Sequence, residues 1–65
     1  MKTKYPNIIA ELARNGIKKT ELSKMLGITY ECLRNKLNGT YEWKISEIFQ
    51  IMKITNKDFE YLFMN

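Results

Sequence analysis

The chain has 65 residues, 45% of them hydrophobic and 28% charged, and its formal net charge is +4. This length suits one small domain that needs nearly all of its apolar residues for a single core. The single cysteine and the absence of histidine exclude an internal disulfide and argue against a zinc site or a Ser-His or Cys-His nucleophile. Because Glu11 and Arg14 interrupt the apolar residues after the basic start, we expect no export signal or membrane span. The prediction is a cytoplasmic binding module, not an enzyme, with no cofactor and no metal.

Apolar side chains recur at helical spacing along the chain, and no segment alternates with period two over the length of a strand. The pattern predicts three short helices over about residues 7–15, 19–26 and 29–37. Pro6 precedes the first helix, Gly16 and Gly27 follow the first two, and Thr29 is the expected N-cap of the third. The side chains expected to face the core are Ile8, Ile9, Leu12, Ala13, Leu22, Met25, Leu26, Leu33 and Leu37.

Two further helices are predicted after Asn38-Gly39, which ends the third. The fourth begins near Lys44 or Ile45, and its apolar stripe is Ile45, Ile48, Phe49 and Met52. With Lys44 as the cap, Trp43 and Ile48 stand at the positions of a hydrophobic staple, which makes Trp43 a cover of the core, and Glu47 is at N3. The fifth helix is expected to start at Thr55, with Asp58 completing a capping box and Phe59, Leu62 and Phe63 forming an apolar face. The prediction is one all-helical domain over residues 1–65.

The excess positive charge lies in one part of the chain. Residues 1–40 carry eight basic and three acidic groups, a net charge of +5, whereas residues 41–65 carry three basic and four acidic groups, a net charge of −1. A positive lobe suits a polyanionic partner because neutralised phosphates release condensed counterions. A solvated, slightly basic surface explains the same charges, so charge alone leaves both interpretations open.

The second and third helices are separated only by Gly27-Ile28-Thr29. Glycine can take the left-handed conformation that a sharp turn needs, Ile28 can fill the angle between the helices, and Thr29 can cap the third helix. Two short helices joined by such a turn define the helix-turn-helix motif, here over residues 19–38. In that motif the second helix lies in the major groove of DNA.

Residues 19–39 resemble the helix-turn-helix of phage Cro and repressor proteins, the lambda-repressor-like or XRE-type family. The shared landmarks are Glu21-Leu22, Ser23, Leu26-Gly27-Ile28-Thr29, Leu33 and Lys36-Leu37-Asn38-Gly39. The stretches 43–48 and 59–63 look most like small prophage Cro-like regulators. The resemblance covers nearly the whole chain and implies a compact five-helix fold. Three lysines depart from the family pattern: Lys18 and Lys19 stand where Thr or Ser and then Gln are usual, and Lys44 where Ser or Thr is usual.

The resemblance implies a sequence-specific, double-stranded DNA-binding transcriptional regulator. The expected base-reading residues on the outer face of the third helix are Thr29, Tyr30, Glu31, Arg34 and Asn35. The expected phosphate contacts are Lys18, Lys19, Asn38, Thr40, Tyr41 and Lys44. The alternative for the first set is an ordinary exposed helix face, and for the lysines plain solubility. Lys2 and Lys4 could form an arm that reaches DNA, but we expect a frayed terminus instead.

A domain of this size reads only a few base pairs, and the family solution is a dimer on a near-palindromic operator. The residues expected to form a weak homodimer are Phe59, Tyr61, Leu62 and Phe63, with Met64 adding apolar surface. Such a Cro-like repressor would act by occluding a promoter, without a small-molecule ligand. The competing interpretation is a protein-interaction module, an adaptor or antitoxin, that has kept the motif but binds little DNA. Cys32 is expected to be a half-buried packing residue.

Overall fold

A computed structural model describes residues 3–64, and this part of the chain is all α-helical, with no strand. The helices are α1 (Pro6–Arg14), α2 (Lys19–Leu26), α3 (Tyr30–Leu37), α4 (Ile45–Thr55) and α5 (Phe59–Phe63). The all-helical prediction is therefore confirmed, and α2 and α3 lie where the sequence places them. Lys2 is outside the described residues. None of the described helices combines the length and the hydropathy that crossing a bilayer would require.

The start of α5 differs from the sequence prediction. Thr55 is the last residue of α4, where its hydroxyl donates to the Ile51 carbonyl at 2.8 Å, so it does not cap the next helix. Asn56 ends α4 in the left-handed conformation (φ +58°), which asparagine tolerates better than most residues. Asp58 is the N-cap of α5, because its carboxylate accepts from the Tyr61 backbone N–H at 2.9 Å. The predicted capping box is wrong, and α5 has only five residues.

The core consists of aliphatic side chains from every helix, each 3% exposed or less. They are Ile8 and Leu12 of α1, Leu22 of α2, Leu33 and Leu37 of α3, Ile51 of α4 and Leu62 of α5. Full burial of one such side chain contributes about 1.5–3 kcal/mol relative to leaving it in water. Since α5 supplies a core residue, the short last helix is part of the fold and not an appendage.

Two residues expected in the core lie outside it. Met25 is 48% exposed, and Ala13 is also exposed. Met25 instead lies beside α4 residues in a surface groove. Met52, also expected as core filler, is half-buried and packs against the core.

The face that α4 buries is not the predicted stripe. Ile45 is 70% exposed and Phe49 is 62% exposed, whereas Ile51 is completely buried. The buried residues of α4 are Glu47, Ile51 and Thr55, which follow one another at intervals of four. The orientation of α4 thus places a carboxylate in the interior and leaves two large apolar side chains in solvent.

Three rings form an aromatic cluster over one end of the core: Tyr5, Trp43 and Phe63. Their centroids are 5.5–5.9 Å apart in edge-to-face arrangements, the geometry that aromatic quadrupoles favour. Phe59 stacks on Phe63 at 5.2 Å. The prediction that Trp43 covers the core is confirmed. The cluster also holds the residue before α1 against the last turn of α5.

The C-terminal residues are largely used within the chain, which corrects one predicted dimer contact. Leu62 is 0% exposed, so its side chain cannot reach a second copy. Phe63 is half-buried in the aromatic cluster, while Phe59 and Tyr61 remain 41% and 37% exposed. The Tyr61 hydroxyl donates to the Glu11 carboxylate at 3.0 Å. Packing within the chain therefore accounts for Leu62 and Phe63, whereas Phe59, Tyr61 and Met64 keep exposed apolar surface.

Glu11 is a second buried carboxylate that the sequence does not reveal. It is 1% exposed on α1, and its Oε2 accepts from Arg14 Nη1 at 2.6 Å as well as from Tyr61. Asn7 Nδ2 adds a bond to the Tyr61 carbonyl at 2.9 Å. Buried polar groups are tolerated when such partners satisfy them. These bonds join α1 to α5.

Candidate nucleic-acid interface

The turn between α2 and α3 depends on a glycine in the left-handed region. Gly27 has φ +72° and ψ +30°, and its N–H donates to the Lys24 carbonyl at 3.1 Å. The Ile28 N–H donates to the Ser23 carbonyl at 3.0 Å, and the Ile28 side chain is half-buried against the core. A Cβ on Gly27 would meet no atom within 4 Å, so the glycine is needed for its backbone conformation and not for space. The predicted turn is confirmed.

Thr29 fixes the start of α3. Its Oγ1 accepts from the Cys32 N–H at 3.1 Å, which satisfies one of the free amides of the first turn. The residue is exposed, so the hydroxyl hydrogen is still able to donate outward. Cys32 is half-buried as predicted.

The outer face of α3 carries the side chains predicted to read bases. Leu33 and Leu37 anchor the helix in the core, at 0% and 2% exposure. Tyr30, Glu31 and Arg34 are exposed, and Asn35 is half-buried. At 100° per residue these four positions span one arc of the helix. The structure therefore brings the predicted base-reading residues together on the face that points away from the core.

The loop after α3 is tied back to that helix. The Asn35 carbonyl accepts from the Thr40 N–H at 2.8 Å and from the Tyr41 N–H at 3.2 Å. Thr40 and Tyr41 are exposed, as a contact with an external ligand would require, whereas Asn38 is half-buried. These three predicted phosphate contacts lie beside the C-terminal end of α3.

The lysines at the starts of α2 and α4 occupy similar positions. Lys18 and Lys44 are both N-cap residues with exposed side chains, and Lys19 is half-buried. Lysine offers no acceptor to a helix N-terminus, and in both helices a glutamate at N3 compensates. The Lys18 N–H donates to Glu21 Oε1 at 2.8 Å, and the Lys44 N–H donates to Glu47 Oε1 at 2.9 Å. A capping box has two hydrogen bonds, and each of these helices has the one in which the N-cap N–H donates to the side chain at N3.

A buried ion pair joins α3 to the start of α4. Lys36 Nζ lies 2.5 Å from both oxygens of Glu47, and each side chain is 5% exposed. Lys36 Nζ is also 6.0 Å from the centre of the Trp43 ring. The sequence contains one signal for the burial of Lys36. This lysine lies three residues after Leu33 and directly before Leu37, and therefore on the apolar side of α3. The pair couples the helix that carries the predicted base-reading residues to its neighbour.

The environment of Glu47 lowers the pKa of its carboxyl group. Burial alone would raise this pKa, but the hydrogen bonds from Lys36 and from the Lys44 N–H, with the charges of both ammonium groups, outweigh it. The pKa therefore lies below the ordinary value for glutamate. Glu47 is charged in the folded chain at neutral pH.

This lowered pKa predicts a loss of stability in acid. A carboxylate with a lower pKa in the folded than in the unfolded chain stabilises the fold above its unfolded pKa, and that contribution disappears as the pH falls through the folded pKa. We expect the free energy of unfolding, from urea denaturation, to fall on acidification below about pH 4.3. The Glu47→Gln variant should show a flatter dependence on pH in the same range. Equal slopes for the two proteins would contradict the assignment.

A shallow apolar groove lies between the end of α2 and the outer part of α4. Met25, Phe49, Met52 and Ile54 line it, and Lys53 and Lys57 are at its edge. This groove includes three of the side chains that the sequence predicts to face the interior, namely Met25, Phe49 and Met52. In residues 3–64 no cluster of His, Cys, Asp or Glu side chains has an arrangement that could hold a metal ion.

Comparison of the chain with protein-family models, with curated proteins and with solved structures finds no match.

Proposed function

We propose that the chain is a sequence-specific, double-stranded DNA-binding regulator of the helix-turn-helix class, with α3 as the recognition helix. In the lambda-repressor-like arrangement that the sequence resembles, α3 enters the major groove and α2 crosses the backbone. The observation that carries the proposal is the outer face of α3. Tyr30, Glu31 and Arg34 are exposed there beside the half-buried Asn35, while Gly27 and Thr29 shape the turn into its first residues.

Each exposed residue of this face has a suitable partner on DNA. The half-buried Asn35 amide would donate to and accept from adenine, and Arg34 would donate to guanine or a phosphate. Glu31 would accept from a cytosine amino group, and Tyr30 would contact a thymine methyl group. Thr29 would donate its hydroxyl hydrogen. These contacts would set sequence preference.

Phosphate contacts would come from the elements around α3. Lys18 and Lys19 begin α2, and the loop after α3 holds Thr40 and Tyr41 beside the recognition helix. Backbone contacts of this kind fix the register of a protein on DNA and contribute most of its affinity. The net charge of +5 in residues 1–40 is consistent with this division.

A dimer on a near-palindromic operator would double the number of base pairs read, with half-sites about 34–36 Å apart. From the predicted dimer set, Phe59 and Tyr61 retain the exposed surface that such a contact needs. Occupation of a promoter by the dimer would repress transcription, as in Cro-like repressors.

The test is a binding titration of the full chain on a duplex of arbitrary sequence at two salt concentrations. If about four phosphates are neutralised, the affinity should fall about 100-fold between 50 and 200 mM KCl. Selection of bound duplexes from a random pool should then yield a site with two-fold symmetry. Absence of binding at the lower salt concentration would overturn the proposal.

The groove beside α4 favours a second candidate, a helix-turn-helix domain that acts as a protein-interaction module. Phe49 is 62% exposed there, next to two methionines, and flexible methionine-rich surfaces suit apolar partners. An adaptor or antitoxin of this kind would leave DNA unbound in the titration. The salt-dependent binding described above therefore separates the two functions.

A further inference from the structure

The residues before α1 are docked on the end of α3 and are not frayed, contrary to the sequence expectation. The Lys4 N–H donates to the Leu37 carbonyl at 2.9 Å, and the Thr3 hydroxyl donates to the same carbonyl at 3.0 Å. The Tyr5 N–H in turn donates to Thr3 Oγ1 at 3.2 Å. Carbonyls of a last helical turn lack intrahelical partners. This segment therefore supplies donors to the C-terminal end of the recognition helix.

The docked segment is also held by its aromatic residue. Tyr5 packs edge-to-face on Trp43 and Phe63, with centroids 5.9 and 5.7 Å away. Bonds to Leu37 on one side and ring contacts on the other thus fix the backbone on both sides of Lys4. The fold consequently sets the backbone position of Lys4, and its ammonium nitrogen lies 6.0 Å from the centre of the Tyr5 ring.

The stem of Lys4 lies against Gly39. A Cβ built on Gly39 would be 2.6 Å from Lys4 Cδ and 3.5 Å from Lys4 Cβ. Gly39 also has φ +86°, so two independent features of this position favour glycine. The aliphatic part of the Lys4 side chain packs on the backbone of Gly39. Lys4 is nevertheless exposed, as is usual for a lysine that buries its methylene groups and keeps its ammonium group in water. Neither ion pair found in residues 3–64 involves Lys4.

The loop beside Lys4 lacks positive charge of its own. Residues 38–43 contain no lysine or arginine, and Glu42 adds a negative charge. Thr40 and Tyr41 offer hydroxyl donors, since their N–H groups already donate to the Asn35 carbonyl, and a hydroxyl cannot neutralise a phosphate. A cation at Gly39, between Asn38 and Thr40, would supply what the loop residues lack.

We propose that Lys4 is a DNA-phosphate contact, and that the docked segment Thr3–Tyr5 extends the phosphate-binding surface formed by residues 38–41. The inference rests on the proposed function and adds an element from the opposite end of the sequence to the same interface. A lysine bonded through its own backbone to the end of α3 would move with that helix. It therefore neutralises a phosphate at a fixed distance from the bases being read.

The experiment measures duplex affinity over a series of KCl concentrations for the full chain and three variants. Lys4→Gln should reduce the slope of log K against log salt by about 0.9 and weaken binding about tenfold at 50 mM salt. Lys4→Arg should retain the slope of the original chain. Lys53→Gln makes the same change of charge on the exposed surface of α4 and should leave affinity within about twofold. Thermal unfolding followed by circular dichroism checks that all four proteins are equally folded.

The results separate the inference from the function on which it rests. A smaller slope for Lys4→Gln alone supports the phosphate contact. An unchanged slope for Lys4→Gln, or an equal reduction for Lys53→Gln, would overturn it while leaving DNA binding established. If the original chain fails to bind duplex DNA at low salt, the proposed function itself is overturned.

Discussion

Replacing Lys36 with methionine is expected to lower the free energy of unfolding by about 3–5 kcal/mol. The Glu47 carboxylate would stay in the interior, where its side chain is 5% exposed, and would keep only the Lys44 N–H as a partner. An uncompensated buried charge costs more than the pair itself contributes, because its desolvation is no longer offset. A domain of this length has a total stability of roughly 3–10 kcal/mol. Urea denaturation should therefore show a chain near the limit of folding.

The double variant Lys36→Met/Glu47→Gln is the matched control. Glutamine at the second position keeps an acceptor for the Lys44 N–H and removes the buried charge. Replacement of both charged partners is often neutral or stabilising, so this variant should recover most of the lost stability. If the double variant were as unstable as Lys36→Met alone, the loss would come from the packing of the lysine stem and not from the orphaned carboxylate.

The ion pair also bears on the proposed interface. It joins the residue before Leu37 to the first turn of α4, and Leu37 is where the N-terminal segment docks. The end of α3 is thus held by α4 through side chains and by residues 3–5 through the backbone. With two elements holding its C-terminal end, α3 would present its outer face to DNA at a small cost in ordering, given the proposed function.

The sequence predicts the α2–turn–α3 unit well because its determinants are local. Gly27 and Thr29 act on residues within three or four positions, through one left-handed turn and one cap. Leu33 and Leu37 have few apolar neighbours along α3, so they are identified as core residues, whereas Met25 of α2 is predicted to be buried and is exposed. Local signals of this kind need no knowledge of the rest of the fold.

The orientation of α4 cannot be predicted in the same way. Six of its residues are apolar, namely Ile45, Ile48, Phe49, Ile51, Met52 and Ile54, and they surround most of the helix. Several stripes then fit a period of 3.6 about equally. The choice is made by contacts distant in sequence, above all the bond from Lys36 to Glu47. Such pairing of a lysine and a glutamate eleven residues apart gives no periodic signal.

The packing of the C-terminal end is hard to predict from the sequence for a related reason. Five apolar residues in a row of six exceed what one helical face can bury, which suggests an external partner for 59–64. In the fold, Leu62 completes the core, and Phe63 completes a cluster with Tyr5 from the other end of the chain. The Tyr5 ring reaches Phe63 only through the tertiary structure, because the two residues are far apart in the sequence. The contacts of Glu11 with Tyr61 are non-local in the same sense.

Asn35→Ala and Lys19→Ala should weaken DNA binding in two different ways, given the proposed function. Loss of a bidentate contact to adenine removes about 1–3 kcal/mol of discrimination, which is roughly a 5- to 150-fold loss on the selected site. Affinity for unrelated duplexes should hardly change, because Asn35 carries no charge. Lys19→Ala should weaken binding to all duplexes alike and reduce the salt slope by about 0.9.

Two exposed residues of α4 provide controls of the same chemistry. Gln50→Ala removes an amide and Lys53→Ala removes an ammonium group, and both residues are exposed and line the groove between α2 and α4. Competition binding between the selected duplex and a scrambled one gives the specificity ratio for all four variants. Asn35→Ala should lower that ratio, and Lys19→Ala should lower both affinities while preserving it. If Asn35→Ala and Lys19→Ala changed the ratio equally, α3 would not be the element that reads sequence. The outer face of that helix would then act only as a polar surface for the DNA backbone.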